Sequence, residues 1–204
     1  MKSKKIIILT GSIATGKSTV SNIIKEHGFE IIDADKIAHE LMEIDKINYN
    51  AIVRKFGNNI LDKDKNINRK KLSKIVFNDK EKLELLNSLT HKNIFNKIKE
   101  KIEKSDNQII FVDIPLFIDL IVSNPKEKYL VYDEIWVVYT NIENQIKRLM
   151  KRDNSNREDV MKRINSQTSI EEKKKYANII IDNNGSIEDL RREVLERLES
   201  LWRF

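Results

Sequence analysis

The chain is expected to adopt an α/β fold in which a parallel sheet of five strands is covered by helices on both faces. Short apolar segments rich in Ile and Val alternate along the sequence with segments of helical periodicity. The apolar segments are mostly hydrophobic throughout, as strands covered on both faces must be. A glycine-containing turn also joins the first strand to the first helix, which is typical of sheets that bind phosphate at a strand end.

The elements of this core can be assigned in chain order. The predicted strands span Lys5–Thr10, Glu30–Asp33, Gln108–Asp113, Glu134–Tyr139 and Asn178–Asp182. The predicted helices span Lys17–His27, Ala34–Glu43, Ile142–Lys151, Arg157–Ser166, Ser169–Tyr176 and Ser186–Trp202. Ser186 precedes Asp189 by three residues, a spacing that predicts an N-cap for the last helix.

Two stretches depart from the alternation of strands and helices. Residues 43–105 contain no strand of note, and their apolar residues recur at three- and four-residue spacing. They predict an inserted helical lobe where a second substrate would bind. Residues 148–176 are helical and rich in arginine and lysine, which suits a mobile cover, or lid. The core then comprises 1–42, 106–147 and 177–204, and we expect a single domain because no linker or repeat is visible.

Composition restricts the class of protein. The chain has 204 residues, of which 40% are hydrophobic and 34% charged, and its net charge is +6. Its apolar runs are far shorter than the ~20 residues that span a bilayer, so we expect no membrane segment. The sequence has no cysteine, which favours the cytoplasm. Interleaved acidic residues favour solvated helix faces over a nucleic-acid-binding stripe, although part of the positive charge could serve a polyanionic small substrate.

The turn after the first strand carries a complete phosphate-binding pattern. This phosphate loop, residues 11–18, reads GSIATGKS. Its backbone N–H groups are all expected to point inward, at the positive end of a helix dipole, because polyphosphate needs many converging donors. Gly11 and Gly16 permit tight turns and close approach, while Lys17 should reach the β- and γ-phosphates and Ser18 should ligate Mg²⁺. The pattern therefore predicts a P-loop NTPase-type fold that binds a nucleotide.

Acidic residues at two strand ends are candidates for the chemistry. Asp33 and Asp35 follow the second strand, and ligands of open parallel sheets gather outside the carboxyl ends of the strands. Phosphoryl transfer to an alcohol needs a group that accepts or orients the hydroxyl proton, and Asp33 is the candidate. The alternative is that the pair only caps a helix. Asp113 ends the third strand and is the candidate for the Mg²⁺ shell, unless it merely begins a turn.

Arginines of the predicted lid are candidates for contacts with the nucleotide. Arg148 and Arg152 are four residues apart, so they share one helix face, and Arg157 follows a polar turn. Guanidinium groups can stack on a purine, grip phosphate or stabilise the transferring phosphoryl group. Surface pairing with Glu143 or Asp153 is the alternative.

The turn that follows the last strand is a weaker candidate. Asn183 and Gly185 lie in this turn, where amide and main-chain groups could meet an adenine edge. An Asx-rich turn would also suit any connection of this kind. The three histidines are scattered and form neither a triad nor a metal cluster. Trp136 and Trp202 are expected in the core rather than as base-stacking platforms.

These residues together resemble the dephospho-CoA kinase family nearly from end to end. The matching segments are Leu9–Thr19, Asp33–Asp35 with Ile37 and Ala38, Asn68–Leu72, Ile75–Phe77, Leu86 to His91, Asp113–Phe117, Gln145–Asp153, Arg157 with Arg163 and Gln167, and Ile181–Gly185. Many folds share the phosphate loop alone. Its combination with the aspartate pair, the Pro-Leu turn and the Asn-Asn-Gly turn is much more specific.

The resemblance implies an ATP-dependent kinase that phosphorylates the ribose 3′-hydroxyl of dephospho-CoA, giving CoA and ADP in the final step of coenzyme A biosynthesis. It implies catalytic roles for Asp33, Lys17, Arg148 and Arg152, and Mg²⁺ as cofactor on Ser18 and Asp113. The implied ATP-binding residues are Gly11, Ala14, Thr15, Gly16, Lys17, Ser18, Thr19, Asn183 and Gly185. The implied acceptor-binding residues are Asp33, Arg69, His91, Pro115 and Leu116. We expect no nucleic-acid or membrane partner, and a monomer or small homo-oligomer.

Four positions depart from the pattern of that family, and two other functions stay open. Ser12 and Ala14 stand where the family usually has glycine, Lys92 replaces a proline after His91, and Asp119 replaces a glutamate. A related small-molecule kinase, acting on a nucleotide or on shikimate, would share the phosphate loop. A nucleotide-dependent switch or nucleic-acid ATPase is disfavoured, because the sequence lacks a guanine-specifying Asn-Lys-x-Asp motif.

Overall fold

A computed structural model describes residues 4–201 of the chain. Its five strands are β1 (Lys5–Gly11), β2 (Glu30–Asp33), β3 (Ile109–Asp113), β4 (Glu134–Tyr139) and β5 (Ile179–Asp182). They form one sheet in the order β2-β3-β1-β4-β5. The pairs β1–β3, β1–β4 and β4–β5 are parallel, and the predicted parallel five-stranded sheet with flanking helices is confirmed.

Helices account for most of the remaining described chain. They are α1 (Lys17–Glu26), α2 (Ala34–Leu41), α3 (Ile47–Phe56), α4 (Arg69–Phe77), α5 (Lys80–Lys104), α6 (Phe117–Ser123), α7 (Ile142–Asp153), α8 (Arg157–Asn165), α9 (Ile170–Lys174) and α10 (Ile187–Leu201). The predicted core elements agree within a few residues. The seven-residue α6 was not predicted, because it is too short to show periodicity. The predicted end of the last helix, Trp202, lies outside the described residues.

Contacts divide the chain into two compact units. The sheet unit contains the residues up to Ile32 and from Asp106 onward, and the helical unit is Asp33–Ser105. None of the helices in the described range is long and apolar enough to cross a membrane.

The core of the sheet unit surrounds the central strand β1. Ile7 and Leu9 are fully buried together with apolar residues of α1 and α10. Phe111 of β3 makes edge-to-face contacts with Phe29 and with Trp136, whose ring centroids lie 5.7 and 5.1 Å away. The prediction that Trp136 is a core residue is confirmed, since only 1% of it is exposed. This packing holds the end of β1, where the phosphate loop begins, in a rigid frame.

The helical unit has an apolar core of its own. Its fully or nearly buried members are Ile52, Ile60, Leu72 and Val76. Helix α2, which the sequence analysis leaves with the sheet, belongs to this unit, and Glu40 lies 3.5 Å from Lys101 of α5. Asp33, the last residue of β2, is thus the first residue of the helical unit.

Helix α10 begins with a reciprocal capping box, as its sequence predicts. The backbone N–H of Asp189 donates to Ser186 Oγ at 3.1 Å, and the backbone N–H of Ser186 donates to Asp189 Oδ2 at 3.1 Å. Hydrogen bonds from Ser186 hold the pKa of the Asp189 carboxyl below its usual value. Two N–H groups at the start of α10 are thereby satisfied, and the helix can bury Leu190 and Val194 against the sheet.

Replacement of the cap should weaken the whole sheet unit. We expect Ser186→Ala to lower the free energy of unfolding by about 1 kcal/mol, because an N–H of α10 loses its acceptor. Urea denaturation measures this loss. The matched control is Ser200→Ala, whose hydroxyl donates to the carbonyl of Arg197 within the same helix, and its change should stay within about 0.5 kcal/mol. Equal losses in both variants would contradict the stabilising role of the box.

Candidate active site

The phosphate loop has a backbone conformation that few side chains tolerate. Gly16 forms the N-cap of α1 with φ 94°, and Ala14 has φ 61°. The left-handed region costs a residue with a Cβ about 1–2 kcal/mol, which explains why glycine would suit position 14. Inside the loop, Thr15 Oγ1 donates to the carbonyl of Ser12 at 2.9 Å. This hydrogen bond closes a tight turn within the loop.

Two predicted nucleotide-binding residues bind the loop itself. The side-chain amide of Asn183 donates to the carbonyl of Thr15 at 2.8 Å, and the Arg148 guanidinium donates to the same carbonyl at 3.4 Å. Arg148 also donates to the carbonyl of Asn183 at 2.8 Å. A Cβ on Gly16 would lie 2.1 Å from the Asn183 amide nitrogen, so glycine permits this close contact. The structure therefore brings Arg148 and Asn183 to the phosphate loop, and their contacts with the nucleotide stay a prediction.

The expectation that all backbone N–H groups of the loop point inward is wrong for two residues. The N–H of Ile13 donates to Gln167 Oε1 at 3.1 Å, and that of Thr15 donates to the carbonyl of Ser12 at 3.3 Å. The N–H of Ile13 faces the surrounding protein, on what we call the outer side of the loop, and Gln167 binds it there. Sequence reasoning missed Gln167 as a site residue, and only its place in the family pattern pointed to it.

Lys17, Asp113 and Ser21 form a charged cluster beside the loop. The ammonium of Lys17 pairs with Asp113 Oδ1, and Ser21 Oγ donates to Asp113 Oδ2 at 2.6 Å. Asp113 is only 6% exposed, so its charge depends on these partners. The register of β1 and β3 sets Asp113 opposite Leu9 and so fixes its place. Ser21 was missed, because a serine in an amphipathic helix carries no distinctive signal.

The oxygen donors present suit Mg²⁺. The Ser18 hydroxyl and the Asp113 carboxylate are the hard ligands that this ion prefers. Within residues 4–201, no three His, Cys, Asp or Glu side chains form a cluster that could hold a metal ion. A magnesium site of this kind needs no such cluster, because substrate phosphates and water complete its coordination. The two residues therefore fit the predicted role.

The other arginines of the predicted lid, Arg152, Arg157 and Arg163, pair with carboxylates near the surface. Arg152 Nε lies 2.7 Å from Asp153 Oδ1, and Arg163 also pairs with Asp153. Hydrogen bonds from Arg152 and then Arg163 lower the pKa of Asp153 to about 2. Arg157 binds Glu143 at 2.7 Å and lowers the pKa of that carboxyl. Arg152 and Arg157 thus form the ion pairs with Asp153 and Glu143 that the sequence offered as the alternative to nucleotide contacts. A contact of Arg152 with the nucleotide stays a prediction.

The turns after β3 and β5 are organised by short hydrogen bonds. The carbonyl of Pro115 accepts from Thr10 Oγ1 at 3.0 Å, while Leu116 is 47% exposed. After β5, Asn184 Oδ1 accepts from the backbone N–H of Asn141 at 2.9 Å. A Cβ on Gly185 would lie 2.9 Å from the Asp189 carboxylate, so the turn abuts the cap of α10. Pro115 and Gly185 thus have clear structural roles beside their predicted binding roles.

The remaining predicted residues lie in the helical unit. Asp33 Oδ1 accepts from the backbone N–H of Lys36 at 2.9 Å, so Asp33 caps α2. Asp35 lies in the first turn of α2, where an acid suits the helix dipole. Arg69 contacts His39 Nε2 at 2.7 Å. Burial lowers the pKa of His91, which is half-buried on α5.

Known proteins resemble this chain over almost its whole length. The family model described as dephospho-CoA kinase matches residues 5–189. A relative named dephospho-CoA kinase, from Carboxydothermus hydrogenoformans, is 45% identical over 98% of this chain and 95% of its own. The solved structure of dephospho-CoA kinase from Campylobacter jejuni is 37% identical, with a TM-score of 0.70 over 97% of each chain. Shikimate kinase from Acinetobacter baumannii, 16% identical with a TM-score of 0.53 over 98% of this chain and 95% of its own, shares the fold alone.

A paired glycine substitution tests the loop geometry. Gly16→Ala and Gly28→Ala both place a Cβ at positive φ, but only at Gly16 does that Cβ meet another residue. Both should lose about 1–2 kcal/mol of stability. Only Gly16→Ala should weaken ATP binding, by about tenfold or more, in titration calorimetry, because Asn183 must leave the Thr15 carbonyl. ATP binding that falls equally in both variants, or in neither, would contradict the assigned geometry.

Proposed function

Because the chain belongs to the dephospho-CoA kinase family, we propose that it transfers the γ-phosphoryl group of ATP to the ribose 3′-hydroxyl of dephospho-CoA. The products are CoA and ADP. The observation that carries the proposal is the family match over residues 5–189, which includes both the phosphate loop and the helical unit. The internal order of the phosphate loop supports it, since Arg148 and Asn183 hold the loop in a compact form.

The phosphate loop would bind the triphosphate. Lys17 lies at the start of α1, where it pairs with Asp113. The ammonium of Lys17 would move to the β- and γ-phosphates and offset the charge that develops during transfer. Ser18 and Asp113 would hold Mg²⁺, which supplies further neutralisation of the phosphates when bound.

Asp33 would accept the proton of the attacking hydroxyl. The 3′-oxygen forms a bond to the γ-phosphorus while the bond from that phosphorus to the β–γ bridging oxygen breaks, and the proton passes to the Asp33 carboxylate. Asp33 ends β2, and ligands of open parallel sheets gather outside the carboxyl ends of the strands. Its cap on α2 uses Oδ1, which leaves the role of base to Oδ2.

Further residues of the sheet unit would bind ATP. Arg148, already on the loop, would add positive charge in cis, and Arg152 would join it by leaving Asp153. Asn183 and Gly185 would contact the adenine of ATP.

The acceptor would bind to the helical unit and to the turn after β3. Arg69 is exposed and charged, which suits a phosphate group of dephospho-CoA, and His91 lies on the same unit. Pro115 and the exposed Leu116 would offer the acceptor an apolar surface. We place this reaction in the cytoplasm, with a monomer or small homo-oligomer as the working form.

A comparison of acceptors tests the proposed reaction. Purified protein with Mg-ATP should release ADP rapidly with dephospho-CoA, and only slowly with AMP, with shikimate or without acceptor. The product should resist periodate, because a phosphate on the ribose removes the cis-diol that periodate cleaves. The proposal would be overturned if RNA stimulated ATP hydrolysis in the absence of an acceptor. A product that periodate still cleaves would also overturn it.

Substitution of Asp33 by asparagine separates the base from the cap. Asparagine caps helices as well as aspartate does, so Asp33→Asn should retain stability and ATP affinity. It should lower kcat about 10²- to 10⁴-fold, because the proton acceptor is lost. The matched control is Asp79→Asn, which alters the N-cap of α5 in the same way and should keep normal turnover. Normal turnover of Asp33→Asn would remove Asp33 from the mechanism.

A further inference from the structure

Helix α9 contributes a lysine that the proposed reaction does not use. Lys173 is 0% exposed, and its ammonium lies 2.5 Å from Asp119 Oδ2 on α6 and 3.4 Å from the carbonyl oxygen of Gly11. Gly11 is the first residue of the phosphate loop. We propose that Lys173, together with Gln167, is a positioning residue that sets the orientation of the first peptides of the loop for ATP binding.

Stability alone does not account for this buried charge. Replacing a buried ion pair by apolar side chains of similar volume is often neutral or even stabilising. The Lys173 ammonium instead lies between a carboxylate and a loop carbonyl, where its N–H groups can donate to both and its charge offsets that of the carboxylate.

The hydrogen bond from Lys173 to the Gly11 carbonyl also sets the direction of the next backbone N–H, that of Ser12. In a trans peptide the C=O and the following N–H point in opposite directions. A carbonyl of Gly11 that faces Lys173 therefore turns the N–H of Ser12 away from Lys173. A Cβ on Gly11 would lie 2.7 Å from Thr15 Oγ1 and 3.0 Å from the Val138 carbonyl, so a larger residue would not fit at this position. The hydrogen bond from Lys173 favours one orientation of the peptide that follows Gly11.

The same segment of chain holds a second peptide of the loop. Gln167 Oε1 accepts from the backbone N–H of Ile13 at 3.1 Å. The next residue, Thr168, donates its backbone N–H to Asp119 Oδ1 at 2.6 Å. Asp119 therefore ties both ends of the segment 168–173 to α6. Lys173 of this segment and the adjoining Gln167 in turn bind Gly11 and Ile13 of the phosphate loop.

This inference rests on the proposed function only in that the phosphate loop binds ATP. It predicts a specific defect in ATP affinity rather than a general loss of folded protein. Burial lowers the pKa of Lys173, which agrees with its enclosure, while Asp119 acts in the opposite direction. The substitution Lys173→Met keeps the length of the side chain and removes the donor, but it leaves the buried Oδ2 atom of Asp119 without its cation. A second substitution must therefore accompany it.

The test uses titration of full-length protein with Mg-ATP in the absence of acceptor, together with urea denaturation. Lys173→Met should weaken ATP binding by about tenfold and lower stability. Lys173→Met combined with Asp119→Asn removes the unpaired carboxylate but keeps an acceptor for Thr168. The combined variant should recover most of the stability while ATP binding remains about tenfold weak. Gln167→Met, which leaves no buried charge, should also weaken ATP binding.

Lys175→Met is the matched control, because Lys175 lies two residues away on the surface and pairs with Glu172. It should bind ATP as the unaltered chain does, and KM for dephospho-CoA should change less than about twofold in all variants. The inference is overturned if the combined variant recovers ATP affinity along with stability, or if Lys173→Met or Gln167→Met binds ATP normally. The titration measures ATP affinity and needs no acceptor. It would therefore still test this inference if dephospho-CoA proved not to be the substrate.

Discussion

The constraint on which the site depends is that the phosphate loop must face a polyanion on one side while the protein holds it on the other. A short, glycine-containing loop has too few contacts of its own to stay in one conformation. Hydrogen bonds from distant residues supply what it lacks: Asn183 and Arg148 bind the Thr15 carbonyl, and Gln167 binds the Ile13 amide. Apolar residues of α7 and α8 also pack against Ile13 and Ala14. The segments that the sequence assigns to a lid are therefore structurally joined to the loop that they would cover.

Two lysines of the sheet unit pair with aspartates that are largely shielded from solvent. Lys17 neutralises Asp113, and Lys173 neutralises Asp119. The first pair has polar partners near the loop and would exchange them for phosphate and metal in the proposed reaction. In the second pair Lys173 is fully buried, and its ammonium contacts a carbonyl of the phosphate loop, so we assign it a positioning role. Exposed pairs such as Arg157–Glu143 add little stability and can be broken when a charged ligand arrives.

The fold by itself does not choose the acceptor. A shikimate kinase shares the arrangement of strands and helices with this chain at only 16% identity. What distinguishes the proposed reaction must therefore lie in specific side chains, chiefly those of the helical unit. That unit has its own core around Ile52 and Leu72, and it displays Arg69 on its surface. In the proposed function, surface residues of this unit would contact the acceptor.

Local patterns in the sequence were enough to predict the strands, most helices, the phosphate loop and the Ser186–Asp189 capping box. Each of these depends on residues a few positions apart, so periodicity, glycine placement and capping chemistry determine them. Tertiary structure decided which predicted arginine contacts the loop: Arg148 does, whereas Arg152 pairs with Asp153 although both occupy one helix. It also produced the roles of Ser21, Gln167 and Lys173, which no spacing signals. Their partners lie 92, 154 and 162 positions away in the chain, and only the packing of the sheet brings such residues together.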